Sequence, residues 1–158
     1  MAVEKYTALA NITLTSTASS VTFGSIPSGY RDLRLVYRGT TTASSGVFCR
    51  ANSDSGSNYS LVRMGGNGST TFSSSTTTTY FPMLYSGDPV TGLAILQILD
   101  YSATDKHKTA LSRGGGDYGI VEAVASRWAN TAAITSLVIT NTSTTFAIGT
   151  TFELYGVK

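Results

Sequence analysis

The chain has 158 residues, 41% of them hydrophobic, enough for one domain with a continuous core. Charged residues are only 13% and the formal net charge is +2, with four Lys and seven Arg scattered and no basic run, which excludes an electrostatic footprint for nucleic acid. Cys49 is alone, so a disulfide framework and a cysteine-based metal site are excluded, and the longest apolar runs are far too short to span a bilayer.

The surface is built from hydroxyls instead of charges, 21 Ser and 25 Thr. Few long side chains then have to be ordered when that surface is covered, which suits a protein packed against copies or partners. The start, MAVEKYTALA, has neither the basic nor the apolar region of a secretion signal, so synthesis and folding in a cytoplasm are expected. The Asn-x-Ser/Thr matches at Asn11, Asn58, Asn67 and Asn141 are read as chance in a Ser/Thr-rich chain.

In chain order, Tyr6 to Leu14 alternates Tyr6, Ala8, Ala10, Ile12 and Leu14 on one side and predicts a first strand. Val21 and Phe23 alternate with Thr22 and Gly24. The link Ile26-Pro27-Ser28-Gly29 then leads to Leu33, Leu35 and Tyr37, which alternate with Arg34, Val36 and Arg38. These two runs read as neighbouring strands joined by a tight connection. Arg34 and Arg38 share the face turned away from the core, a solvated face or a contact surface for an acidic or carbonyl-rich partner.

After the polar GTTTASSG loop, Val47 to Ala51 reads as a strand with Cys49 as a small buried hydrophobe. The turn cluster from Asn52 to Ser60 has some of the oxygens of a calcium loop, in Asn52, Asp54 and Ser57, but lacks the terminal bidentate carboxylate. Residues 65–79, GGNGSTTFSSSTTTT, have little apolar surface to bury and are expected to be a flexible loop or arm. The aromatic group Tyr80, Phe81, Met83 and Tyr85 follows, broken by Pro82. It fits either a lid on the chain's own core or the anchors of an interface.

Leu93 to Leu99 is a near-continuous apolar run, expected to be buried on both faces with Gln97 needing a partner. The charges of the chain cluster between Asp100 and Asp117. His107, between Lys106 and Lys108, reads as an exposed loop or strand-edge residue, since no carboxylate or His stands at a catalytic or metal-binding spacing. Its lysines fit an edge strand. Ile120 to Trp128 alternates Val121, Ala123 and Ala125 against Ile120, Val124 and Trp128. Ala and Glu also fit a short helix, but the alternation favours a strand. Ile134 to Thr140 and Phe146 to Val157 complete the pattern. The expectation is one all-β domain over 1–158, a jelly-roll-like antiparallel β-sandwich of about eight to ten strands.

Four pieces, VTFGSIPSGYRDLRLVYRG, SGSNYS, SRWANTAAITSLVIT and FELYGVK, resemble a family of small tailed-bacteriophage virion proteins. The resemblance covers Tyr6 to Lys158 and implies a virion-surface β-sandwich module, a trimer. Before the SGSNYS motif the family often carries Arg-Phe-Asn-Gly-Asp, where this chain has Arg50-Ala51-Asn52-Ser53-Asp54.

The resemblance and composition together lead to a non-enzymatic virion structural protein, with no catalytic residue, cofactor or metal. A capsid decoration or cement protein is expected, a homotrimer bound to the major capsid protein or other virion proteins, without nucleic acid or membrane. The chain begins at Met1 and carries no stalk, heptad or collagen-like repeat, which favours this reading. The alternative is the receptor-binding tip or an accessory protein of a tail fibre, its partner a host-surface glycan. A glycosidase would need two placed carboxylates, and the nine acidic residues show no such pairing. Tyr80, Phe81, Met83, Tyr85, Arg34 and Arg38 are the expected interface residues.

Overall fold

A computed structural model describes residues 5–85, 91–117 and 119–158. Among these the chain is all-β without a helix. Its strands are β1 (Tyr6–Thr13), β2 (Ser20–Phe23), β3 (Asp32–Thr40), β4 (Val47–Ala51), β5 (Tyr59–Gly66) and β6 (Thr71–Thr78) in the first half. The second half carries β7 (Phe81–Leu84), β8 (Thr91–Leu99), β9 (Lys108–Gly116), β10 (Val121–Trp128), β11 (Leu137–Asn141) and β12 (Thr151–Val157). Twelve strands thus replace the eight to ten expected. They form two antiparallel sheets, an eight-stranded one in the order β1-β12-β3-β8-β9-β10-β5-β6 and a four-stranded one in the order β2-β11-β4-β7.

The core lies between the sheets. Leu33, Leu35 and Tyr37 of β3, Ala94, Leu96 and Ile98 of β8 and Phe152 and Leu154 of β12 meet Val21, Phe23, Cys49, Phe81, Leu137 and Ile139 of the smaller sheet. The alternation read in β3 and β12 is therefore the observed in-and-out pattern. Tyr59 stands edge-on to Phe81 at 5.0 Å between ring centres, and Tyr37, Phe146 and Phe152 form a second aromatic group. In the FELYGVK ending, Gly156 is needed because the Tyr30 ring lies on it: a Cβ there would stand 2.4 Å from Tyr30 Cγ.

Several expectations change. β2 and β3 are not neighbours: β2 pairs with β11 and β3 with β12 and β8, so the link between them crosses from one sheet to the other. Ile26 is buried in that crossing, its N–H bonded to the Thr135 carbonyl, and the Tyr101 hydroxyl donates to the Pro27 carbonyl. A turn signal marks a change of direction and carries no information on which sheet receives the next strand. In β1 the pairing with β12 shifts between Ala8 and Ala10, and the extra residue reverses the alternation. Tyr6 and Ala8 consequently face out while Ala10 and Ile12 pack on the core.

Residues 65–79, expected as a flexible loop or arm, hold the end of β5, the turn of a hairpin and the edge strand β6. The Asn67 side-chain carbonyl accepts from the N–H groups of Ser69 and Thr70, Gly68 takes φ 85°, and Thr71–Thr78 pairs without interruption along β5. Pairing supplies the backbone partners, so the strand forms with almost no side chain to bury. β9 is a central strand between β8 and β10 rather than an edge, and Lys108 is fully buried. Its ammonium donates to the carbonyls of Lys106 and Thr131, and desolvation holds it below the ordinary lysine value. β8 is buried on one face only. Gln97 still finds a partner, with its amide 3.5 Å from the Asp32 carboxylate.

Candidate interaction surface

The registers align the outward side chains of the eight-stranded sheet in rows. One runs Tyr155, Arg34, Gln97, Leu111, Ala125, Val62, Ser75; the next Glu153, Val36, Ile95, Arg113, Ala123, Met64, Ser73; the third Thr151, Arg38, Leu93, Gly115, Val121, Gly66, Thr71. Among the described residues no further strand or helix lies over them. Val121 is 70% exposed, Met64 60%, Val62 55%, Leu111 50% and Leu93 47%. Scattered exposed hydrophobes are ordinary on a protein surface, whereas five on adjoining strands of one face form a contiguous patch of the kind found at contact sites. A groove of about 360 Å³ runs between them, lined by Arg34, Val62, Met64, Ile95 and Leu111 among others.

Charge on this face is one-sided. Arg34, Arg38 and Arg113 stand in the apolar rows and Arg127 follows on β10, against Glu153 as the carboxylate in those rows. Among the described residues none of these four guanidiniums is in an ion pair. Arg34 instead donates to the Tyr6 hydroxyl at 3.2 Å and lies over its ring, and Glu153 accepts from the Tyr155 hydroxyl at 2.5 Å, which raises that phenol above its ordinary value. An apolar centre beside guanidiniums that form no ion pair among the described residues has the composition of a contact surface.

Of the expected interface residues, Arg34 and Arg38 lie on this face. The aromatic group does not. Phe81 and Met83 are fully buried in the core, which corrects their reading as surface anchors: β7 pairs with β4 and both its faces are enclosed. Tyr80 and Tyr85 are half-buried. Their rings pack on Phe48 at 4.0 and 5.6 Å between centres, and their hydroxyls are 3.3 Å apart. Desolvation pushes the Tyr85 phenol well above its ordinary value. The group closes one end of the core, the lid that the sequence also allowed.

The other candidate sites are structural. In the turn from Asn52 to Ser60, the Asn52 and Asp54 oxygens considered for calcium accept from protein donors, while Ser57 is exposed. Asn52 Oδ1 accepts from the N–H groups of Thr135 and Ser136, and the Asp54 carboxylate accepts from Trp128 Nε1 at 2.7 Å, from Gly56 N and from Asn58 Nδ2. Asn52 and Ser53 hold φ of 50° and 59°, the left-handed region that Asn tolerates best, so this turn is fastened to the core by its side chains. Cys49 is buried and desolvation drives its thiol far above its ordinary value; His107 is exposed next to the start of β9. No group of three or more His, Cys, Asp or Glu is arranged to hold a metal ion among the described residues.

Val62, Met64, Leu93, Leu111 and Val121 escaped the sequence reading. Both alternating sets of β8 and β10 contain apolar residues, so the period indicates a strand and leaves open which set faces the core. No family model matches the chain, and no curated protein matches it in sequence.

Proposed function

We propose that this protein is a structural component of a tailed-bacteriophage virion, a head decoration protein that assembles as a homotrimer through the outer face of its eight-stranded sheet. The observation that carries the reading is the uncovered apolar face, centred on Leu93, Leu111 and Val121. Burying a side chain of this size is worth about 1.5–3 kcal/mol, so three copies have a strong drive to cover it. The arginines favour a threefold over a twofold contact. A twofold, face-to-face contact would set arginine against arginine, while in a threefold ring each face meets a different surface of its neighbour.

The motifs that resemble phage virion proteins supply the biological setting, and the surface of hydroxyls suits a protein covered for most of its life. The test is mass photometry at micromolar concentration, beside addition of the purified protein to virions that lack it. A trimer that binds heads is the expected result. A monomer, or binding to tails and not heads, would overturn the reading.

A further inference from the structure

The two sheets have four edges, and three of them are guarded against pairing with another chain. β1 is bulged between Ala8 and Ala10, β2 is four residues long, and β7 is four residues long and contains Pro82. β6 has none of these devices. It is eight residues long, runs in unbroken register with β5, and holds neither a charge nor a proline. Most of its residues are exposed, and its outer edge presents a row of backbone N–H and C=O groups with no strand beyond among the described residues.

We infer that β6 is the docking edge for an extended segment of a partner protein, an uncharged strand with large apolar residues at every second position. The neighbouring side chains select this occupant. On the outer face Ser73 pairs with Met64 and Ser75 with Val62, and these small serines leave Met64 and Val62 among the most exposed hydrophobes of the molecule. A strand added beside β6 lies about 5 Å from it and about 10 Å from β5. Large apolar side chains on that strand lean over the serines and reach Val62 and Met64. A second copy of β6 would bring only Ser and Thr to these positions and leave both residues bare. The backbone ladder then supplies affinity and the alternate pockets supply specificity.

This inference rests on the proposed attachment to a larger particle, and names the chemistry of what the particle offers. The probe is a capped peptide of eight alternating Thr and Leu residues with a Lys at each end; its control replaces Leu by Ser. Amide exchange and shift titration by NMR are read on wild type and on Ser75→Lys, which places a charge on the open edge. The expected result is at least tenfold slower exchange of alternate amides in β6, at least tenfold tighter binding than the control peptide, and at least tenfold weaker binding by Ser75→Lys with an unchanged melting midpoint. Equal affinity for the two peptides, protection of β1 instead of β6, or protection that grows with protein concentration without peptide would overturn it, the last by showing a second copy on the edge. If Ser75→Lys loses the peptide but attaches normally to particles, the inference falls and the proposed function stands. If wild type binds the peptide through β6 and no particle, the edge stands and the virion reading falls.

Discussion

Arg63 donates through Nε to the Glu122 carboxylate at 2.6 Å, joining β5 to β10 at the point where the smaller sheet ends. The same guanidinium lies between the rings of Phe72, at 4.5 Å, and Tyr85, at 4.2 Å, and the second Glu122 oxygen accepts from the Tyr85 N–H. One buried carboxylate thus holds the β5–β6 hairpin, the central sheet and the end of β7 together. Removing one partner of a buried pair leaves the other charge uncompensated. Glu122→Ala is therefore expected to lower stability by about 3 kcal/mol in urea unfolding. A loss within the ordinary surface range of about 0.5 kcal/mol would show that the pair is not coupled to the fold.

Phe81 separates the core reading of the aromatic group from the interface reading. Phe81→Ala is expected to cost about 3–5 kcal/mol of stability, the range for emptying a buried phenylalanine site. Calorimetry checks this directly. A stable Phe81→Ala protein that fails only in assembly would restore the side chain as an anchor.

Asp54 and Trp128 give a pH dependence with a built-in reporter, since Trp128 is the single tryptophan. Desolvation raises the Asp54 carboxyl, but hydrogen bonds from Trp128, Asn58 and Gly56 outweigh it and hold the group below the usual carboxylate range. A depressed carboxyl contributes stability that is complete above its unfolded value of about 3.9 and is lost as pH falls through the folded value. Tryptophan emission should accordingly change only below about pH 4. Asp54→Ala should show the acid-form emission already at neutral pH and no further transition; an unaltered acid transition in that variant would assign it to another group.

The outer face predicts an unusual response to salt. Its apolar rows drive association while each copy carries a net charge of +2, and repulsion between like-charged copies is screened with a Debye length of about 10 Å at 0.1 M. Raising salt is expected to strengthen the trimer, as read by sedimentation. Dissociation at high salt would mean that ion pairs hold the contact.

Leu111→Lys adds a fifth cation to the centre of that face. It is expected to give a folded monomer with stability within about 0.5 kcal/mol of wild type, because Leu111 is half-exposed within the chain. A trimer that survives this change would move the self-contact elsewhere.

The sequence by itself determined the class of fold and most of its strands. Period-two alternation is a local property of the backbone, so β3 and β12 were legible residue by residue, as was the choice of strand over helix for Val121–Trp128. The burial of Cys49 and the exposure of His107 followed from residue type and from neighbours that offered no chemistry. The tertiary structure alone decided which side of β8 and of β10 faces the core. In β10 the set holding Glu122 and Ser126 turns inward and Val121, Ala123 and Ala125 turn outward, because Glu122 finds Arg63 across the sheet and the smaller sheet covers that side only. Pairing partners were also beyond local reading: β2 and β3 are separated by eight residues and enter different sheets, and the hydroxyl-rich β6 becomes ordered by a ladder to β5 that no side-chain pattern announces. Hydrogen bonding between strands is a backbone interaction and burial is a property of the assembled sheets, so neither is written in the order of side chains along one strand.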